Sequence, residues 1–349
     1  MLDRPADQGQ RVDQMADIAP VREIQISGSE ELDALLRMQR EPFVLRGLVS
    51  DWPLVAAGRS SDDEARSYLL AHHRERPVTY SVGKAGSGGR LFYDENMEVD
   101  FATGRGWLDD IFDQMAQAGS DQDAGAVYLA SIDLHDYFDG LHEANHVDLG
   151  ERKLMSSLWV SSRSRVAAHS DFPDNLACVV AGKRRFILFP PDQFGNLYPG
   201  PLDNTPAGRP ISMVDFHNVD FERFPRFAEA LEQAQMVELE PGDALYVPSM
   251  WWHHVESLSS FNAMINYWWR DSGRWHDQPQ NALFMALLTI RDLPPEEREH
   301  WRAQFDHYIF DPDPELAAHV PASARGILDP LTDDTAMRLR SFLLRQLGR

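Results

Sequence analysis

The stretch that constrains this chain most runs from Val166 to Pro191, reading VAAHSDFPDNLACVVAGKRRFILFPP. His169 and Asp171 stand two positions apart in a strand-like segment, and the period-2 alternation of a strand turns both side chains to one face. A long apolar strand, a Gly turn and a second long strand follow. A second stretch, LYVPSMWWHHVESL from Leu245 to Leu258, offers a third group of the same kind in His253. Two imidazoles and one carboxylate on the walls of a β-barrel form the facial triad of a non-haem iron(II) site, which leaves coordination positions open for substrate and oxygen.

A His-x-Asp/Glu triplet alone carries little weight. Random placement of 13 histidines among 55 acidic residues in 349 positions gives about two. The chain has four. His73-Arg74-Glu75 ends a helical segment, His146-Val147-Asp148 lies in a polar stretch without strand pattern, and His254-Val255-Glu256 competes for the second site. An arbitrary histidine is far more often a hydrogen-bonded core residue than a ligand. The second element reverses those odds here: PGDALYVPSMWWHHV is a turn, a strand, a proline and an aromatic-flanked histidine pair, where a jelly roll returns beside its earlier strand. Neighbours on a strand face opposite ways, so only one of His253 and His254 turns inward, and spacing does not say which.

The surrounding chain fits a mainly β core. From Met155 to Trp269 short apolar strands alternate with Gly, Pro and Asn punctuation, the signature of a sandwich or jelly roll. Upstream lies an α+β elaboration: a helix begun by a Ser27-to-Glu30 capping box, the strand PFVLRGLV closed by an Asp51-Trp52-Pro53 turn, a helix across SSDDEARSYLLAHH, the strand RPVTYSV, a hairpin tip at Gly86–Gly89, a helix from Trp107 to Ala116 and the strand AVYLASIDL. After Trp269 the pattern turns helical. The expected division is a polar lead-in over residues 1–20 without fixed structure, a catalytic domain over 21–270 and a helical region over 271–349.

A net charge of −22 disfavours phosphate-rich partners, so neither nucleic acid nor an anionic membrane is expected. No apolar run approaches the length of a spanning helix, and the first twenty residues lack the apolar core of a signal peptide. The single cysteine, Cys178, rules out an internal disulfide and fits a cytoplasmic setting; its apolar flanks make it a small core residue.

The segments HSD, GKRRFILFPPDQFGNLYPGP, SMVDFHNVDFERFPRF, PGDALYVPSMWWHHVESL and INYWW together resemble the cupin-like JmjC oxygenases, on their asparaginyl-hydroxylase branch. The match is dense from about Val160 to Trp269, with echoes upstream in RLFYDE and VYLAS. The resemblance implies a double-stranded β-helix that binds iron(II) and 2-oxoglutarate and hydroxylates an unactivated C–H bond. It implies His169, Asp171 and His253 as metal ligands, with His254 facing away. It implies Arg184 as the cation for the far carboxylate of 2-oxoglutarate, with Lys183 as the fallback, and Tyr128 as a hydroxyl beside it. Asn175, Asn266 and Trp268 match the lining of the cofactor pocket, and Tyr93 and Asp94 a loop that closes over substrate.

Departures from the family pattern accompany the match. A threonine that hydrogen-bonds 2-oxoglutarate is Val166 here, and Phe172 and Pro173 replace polar residues that touch the peptide, so substrate identity does not carry over. The expected function is hydroxylation of a protein or peptide side chain. The alternatives are a small molecule or amino acid as substrate of the same chemistry, or a cupin that binds metal without turnover; the aspartate two residues after the first histidine favours turnover. The C-terminal stripe of Ala336, Leu339, Leu343 and Leu347, widened by Phe342 and Leu344, together with the resemblance, suggests a homodimer.

Overall fold

Fourteen strands make two sheets in the computed structural model, which describes residues 18–121, 123–206, 208–270 and 278–348. Those upstream are β1 (Ala19–Pro20), β2 (Phe43–Leu45), β3 (Val78–Gly83), β4 (Arg90–Leu91), β5 (Phe101–Gly106) and β6 (Val127–Asp133). The jelly roll itself is β7 (Met155–Ser161), β8 (Ser164–Ser170), β9 (Asp174–Ala181), β10 (Arg184–Phe189), β11 (Gln235–Leu239), β12 (Ala244–Val247), β13 (Trp252–Ser257) and β14 (Asn262–Trp269). One sheet runs β1-β11-β10-β13-β8-β4 and the other β2-β12-β9-β14-β7-β6-β3-β5. Four of the last eight strands therefore form each wall, as the apolar rhythm from Met155 onward leads one to expect.

Alternation sorts side chains between the two faces of each wall. Ala177, Val179, Phe186, Leu188, Val237, Leu239, Leu245 and Met264 cluster between the sheets. Their chain neighbours Leu176, Cys178, Val180 and Ile265 join a second cluster with helical residues such as Leu54, Leu69 and Phe112. Each such side chain fully removed from water contributes about 1.5–3 kcal/mol, so a one-residue slip of β9 or β14 would be severely destabilising. Cys178 sits in that second cluster, fully buried, and burial pushes its thiol well above the usual range. It is a core residue.

Local differences from the sequence reading have physical causes. The expected lead-in through residue 20 ends earlier: Ile18 is buried, and Ala19 and Pro20 pair in parallel with Gln235 and Met236 at the edge of a sheet. Residues 1–17 lie outside the described residues. The first helix begins at Ser29 rather than at the Ser27 box, and the side chain of Glu31 reaches back to accept from the Ser27 backbone N–H at 2.7 Å. Pro53, read as the end of a turn, instead opens a helix over Pro53–Ser60, where its missing N–H costs nothing. At the glycine-rich tip Gly86, Gly88 and Gly89 all have positive φ, and a Cβ on Gly89 would lie 2.9 Å from the Arg163 carbonyl oxygen. It is a turn held against the start of β8.

The chain divides into two compact units, Met1–Arg270 and Asp271–Arg349. In the second, helices span Pro279–Thr289, Pro295–Phe305 and Asp333–Leu347, the last opened by a capping box between Thr332 and Thr335. The only buried apolar residues described there are Ala317 and Ala336. Among the described residues no helix is long and apolar enough to cross a membrane.

Candidate metal centre

The centre is assembled where β8 and β13 pair antiparallel. His169 lies opposite His253, and one register step further the pairing becomes Val255 with Val166, so a bulge sits in between. The two imidazole centroids are 4.4 Å apart. Asp171 follows β8 directly, and the turn before β13 is stitched to it: Met250 N donates to the Asp171 carbonyl at 2.8 Å, and Ser249 Oγ to the Phe172 carbonyl at 2.6 Å. Met250 takes φ +68 to make that turn. One ligand atom from each of His169, Asp171 and His253 falls within 4.8 Å of the others, with His253 Nε2 at 3.6 Å from Asp171 Oδ2. No other such cluster occurs among the described residues.

Both rings present the correct nitrogen. His169 Nδ1 is 2.9 Å from the Ala167 carbonyl and His253 Nδ1 is 3.1 Å from the Trp251 carbonyl. A carbonyl only accepts, so each Nδ1 carries a proton and Nε2 is the nitrogen turned to the centre. Burial, then the neighbouring His169, pushes His253 down to about 4, so its ring is neutral near pH 7, as a metal ligand must be. His254 faces the other way, its ring tilted against Phe216 at 4.6 Å between centroids, with Nε2 at 3.1 Å from Glu256. The competing triplet is thus a separate cluster on the outer face of the wall, where Glu256 also accepts from His217 Nε2 at 2.5 Å and Arg185 Nη1 at 3.1 Å.

A cavity of about 480 Å³ opens over the three residues. Arg184, Tyr128, Asn175, Asn266 and Trp268 all line it. At the start of β10 the alternation turns Arg184 inward, while Lys183 pairs with Glu240 and Arg185 with Glu238 on the outside. Arg184 is 1% exposed; Nη2 makes one long contact to the Trp159 carbonyl, 3.4 Å, and Nε has no partner. Burial pushes this guanidinium down and the Tyr128 hydroxyl up from their usual values. Asn266 Oδ1 accepts from Trp159 Nε1 at 2.7 Å, its amide donates to Asn175 Oδ1 at 3.3 Å, and the buried Trp268 Nε1 has no partner.

Tyr93 and Asp94 are the exception, for neither lines the cavity. Tyr93 is buried with its hydroxyl donating to the Asn204 carbonyl at 2.5 Å, and Asp94 closes its own turn by accepting from Asn96 N and Glu98 N. They brace a loop. Sequence reasoning in turn missed Trp159, whose inward position follows from the alternation of β7, and Arg209, for which the irregular Pro- and Gly-containing loop offers no periodic signal.

The residues fit an iron(II) ion with 2-oxoglutarate. Two imidazoles and one carboxylate converge from one side, and a fully buried guanidinium with an orphaned Nε stands in the same cavity, where burial without an anion is costly. A larger groove, about 850 Å³, borders Ile24–Ser29 and His146–Asp148 but holds no comparable ligand cluster.

Fold and site together define a JmjC-type jelly-roll protein. The profile of the family described as "Cupin-like domain" matches residues 29–274, and the chain belongs to that family. Among named relatives it is 29% identical over 254 residues to mouse "HSPB1-associated protein 1", covering 68% of this chain and 50% of that protein. It is 33% identical over 125 residues to Arabidopsis thaliana "Lysine-specific demethylase JMJ31", 35% of this chain and 22% of that one. A third is chicken "tRNA wybutosine-synthesizing protein 5", 30% identical over 148 residues, 38% of this chain and 43% of the relative. The chain spans about half or less of the length of these relatives, and their names denote different tasks.

Proposed function

We propose that this chain is an iron(II)- and 2-oxoglutarate-dependent oxygenase that hydroxylates a side chain of a protein or peptide. The observation that carries the reading is one cavity holding both the His169–Asp171–His253 cluster and the buried Arg184 guanidinium with an orphaned Nε. Iron(II) and 2-oxoglutarate, when bound, would supply the chemistry to activate dioxygen, one of whose atoms enters a C–H bond while the other enters the succinate formed as 2-oxoglutarate loses carbon dioxide. The chain's own part is positioning. His169 and His253 turn Nε2 to the centre because their Nδ1 protons are tied to backbone carbonyls. Asp171 supplies the anionic ligand, and three ligands on one side leave the other positions open.

Arg184 receives the far carboxylate of 2-oxoglutarate, and Tyr128, kept protonated by burial, donates beside it. Trp268 Nε1 and the Asn175–Asn266 pair offer further polar contacts on the same wall. Val166, Phe186, Val255 and Met264 add apolar lining beside these polar groups, and the less water reaches them the stronger each contact is.

In the second unit Phe342, Leu343, Leu344 and Leu347 are 40–67% exposed while only two alanines are buried among the described residues there. So little buried apolar surface supports a second copy of the chain as partner, through these helices. The single buried cysteine supports a cytoplasmic setting.

The test pairs binding with turnover. Wild type should show the visible charge-transfer band of 2-oxoglutarate chelated to iron(II) without oxygen, and should form succinate with oxygen and ascorbate; Asp171→Ala should do neither. Absence of band and succinate in wild type, or equal rates in the variant, sinks the oxygenase reading and leaves a binding-only cupin.

A further inference from the structure

Three histidines stand together away from the cavity, where two one-turn helices, Leu134–Tyr137 and Leu141–Ala144, follow β6. The second helix carries His142-Glu143-Ala144-Asn145-His146, the His-Glu-x-x-His spacing that sets two imidazoles on one face of a helical turn. The helix ends at Ala144, yet the rings of His142 and His146 still stack, 5.8 Å apart and 28° from parallel. His135, from the first helix, brings a third ring to 4.5 Å from His142. That is the spacing of His169 and His253 at the first centre, 4.4 Å.

Two further features suit a metal ion. His146 Nδ1 donates to the Glu143 carbonyl at 3.2 Å, so Nε2 is the nitrogen left for a ligand bond, the arrangement that His169 and His253 share. Three imidazoles this close repel one another when protonated, and a divalent ion bound in place of the protons removes that repulsion. Burial, then His135 and His146, pushes His142 below its usual range, and Glu143 pushes the other way. The nitrogens do not yet converge as tightly as those of the first centre. His135 and His146 are exposed, however, so rotation of their side chains can close the gap.

We propose that His135, His142 and His146 form a second metal site, for a divalent transition ion of the zinc type, and that the ion clamps the two short helices together. One turn of helix is not stable by its own hydrogen bonds. This pair is followed by Asn145, whose side chain accepts from Leu54 N at 2.9 Å and whose carbonyl accepts from the Tyr267 hydroxyl at 3.2 Å. A clamp there fixes the loop that ties the upstream helices to β14. Three imidazoles suit zinc and leave one tetrahedral position, for water or the Glu143 carboxylate. Glu143 is exposed, so the assignment is to metal binding and not to hydrolysis. It does not depend on the oxygenase reading, since none of the three histidines lines the cavity.

Equilibrium dialysis of the full chain against zinc, with and without 2-oxoglutarate, tests this, the bound metal being counted by mass spectrometry. Wild type should hold one zinc ion beyond the one that Asp171→Ala removes. His135→Gln, His142→Gln and His146→Gln should each weaken that further ion at least about tenfold, and leave the first ion and the retention of 2-oxoglutarate unchanged. Zinc should also slow amide hydrogen exchange over residues 134–147 in wild type and not in His142→Gln. A further ion that survives all three substitutions, or one bound only above about 1 mM zinc, overturns the site, as does its absence. Unchanged exchange overturns the clamp. Should His142→Gln fail to fold, the two exposed positions still give the answer. If wild type retains no 2-oxoglutarate the oxygenase reading fails, and the histidine site is still read from the zinc count.

Discussion

Replacing Arg184 with methionine should move stability in opposite directions according to whether 2-oxoglutarate is present. The guanidinium is 1% exposed, its Nε has no partner, and its one contact to the Trp159 carbonyl is 3.4 Å long. The effective penalty for taking an ion out of water is several kcal/mol, and one weak hydrogen bond offsets little of it. Methionine keeps most of the apolar stem and removes the charge, so the ligand-free variant should be about 1–4 kcal/mol more stable than wild type. For a unit of this size each kcal/mol moves the melting temperature about 2–4 °C, a rise of about 2–16 °C. With 2-oxoglutarate at a hundred times its dissociation constant wild type should gain about 2.7 kcal/mol, and the variant nothing. Calorimetry of the zinc-loaded proteins with and without the keto acid reads all four values. A ligand-free variant destabilised by more than about 1 kcal/mol, or one still stabilised by 2-oxoglutarate, would refute the claim that Arg184 is a charge awaiting its anion.

Val166→Thr should tighten 2-oxoglutarate binding by about threefold to tenfold, one net hydrogen bond, in the same dialysis or calorimetry, since residue 166 lines the cavity; unchanged affinity would mean that the hydroxyl does not reach the ligand. Glu256 adds a pH signature. Burial alone would raise its carboxyl, but hydrogen bonds from His217 and His254 prevail and hold it below the usual range. A depressed carboxyl contributes stability that is full above its unfolded value of about 4.3 and is lost as pH falls below it. Denaturant titrations should therefore show Glu256→Gln less stable than wild type by about 1–3 kcal/mol above pH 5 and converging with it in acid; a constant gap would refute the linkage. Leu343→Glu with Leu347→Glu should halve the mass measured by light scattering, and a wild type already monomeric would end the dimer proposal.

Part of this protein is legible along the chain because strand alternation is local. His169 and Asp171 share a face whatever the rest of the molecule does, as do Met264, Asn266 and Trp268, and the apolar rhythm from Met155 to Trp269 dictates a two-walled β core. Local rules did not tell which face is inward, because that depends on partners far away in the chain. His253 rather than His254 joins the centre because β13 pairs with β8 in a register that sets it opposite His169. Arg184 rather than Lys183 is buried because pairing with β11 and β13 begins at Arg184. Tyr93 and Arg209 mark the same boundary from opposite sides: a loop residue that resembled a substrate contact is tied to Asn204, and one without any periodic signal stands beside Phe172 at the cavity. Alternation and composition settled which side chains travel together; cross-strand register and loop closure, which only the folded chain possesses, decided where they meet.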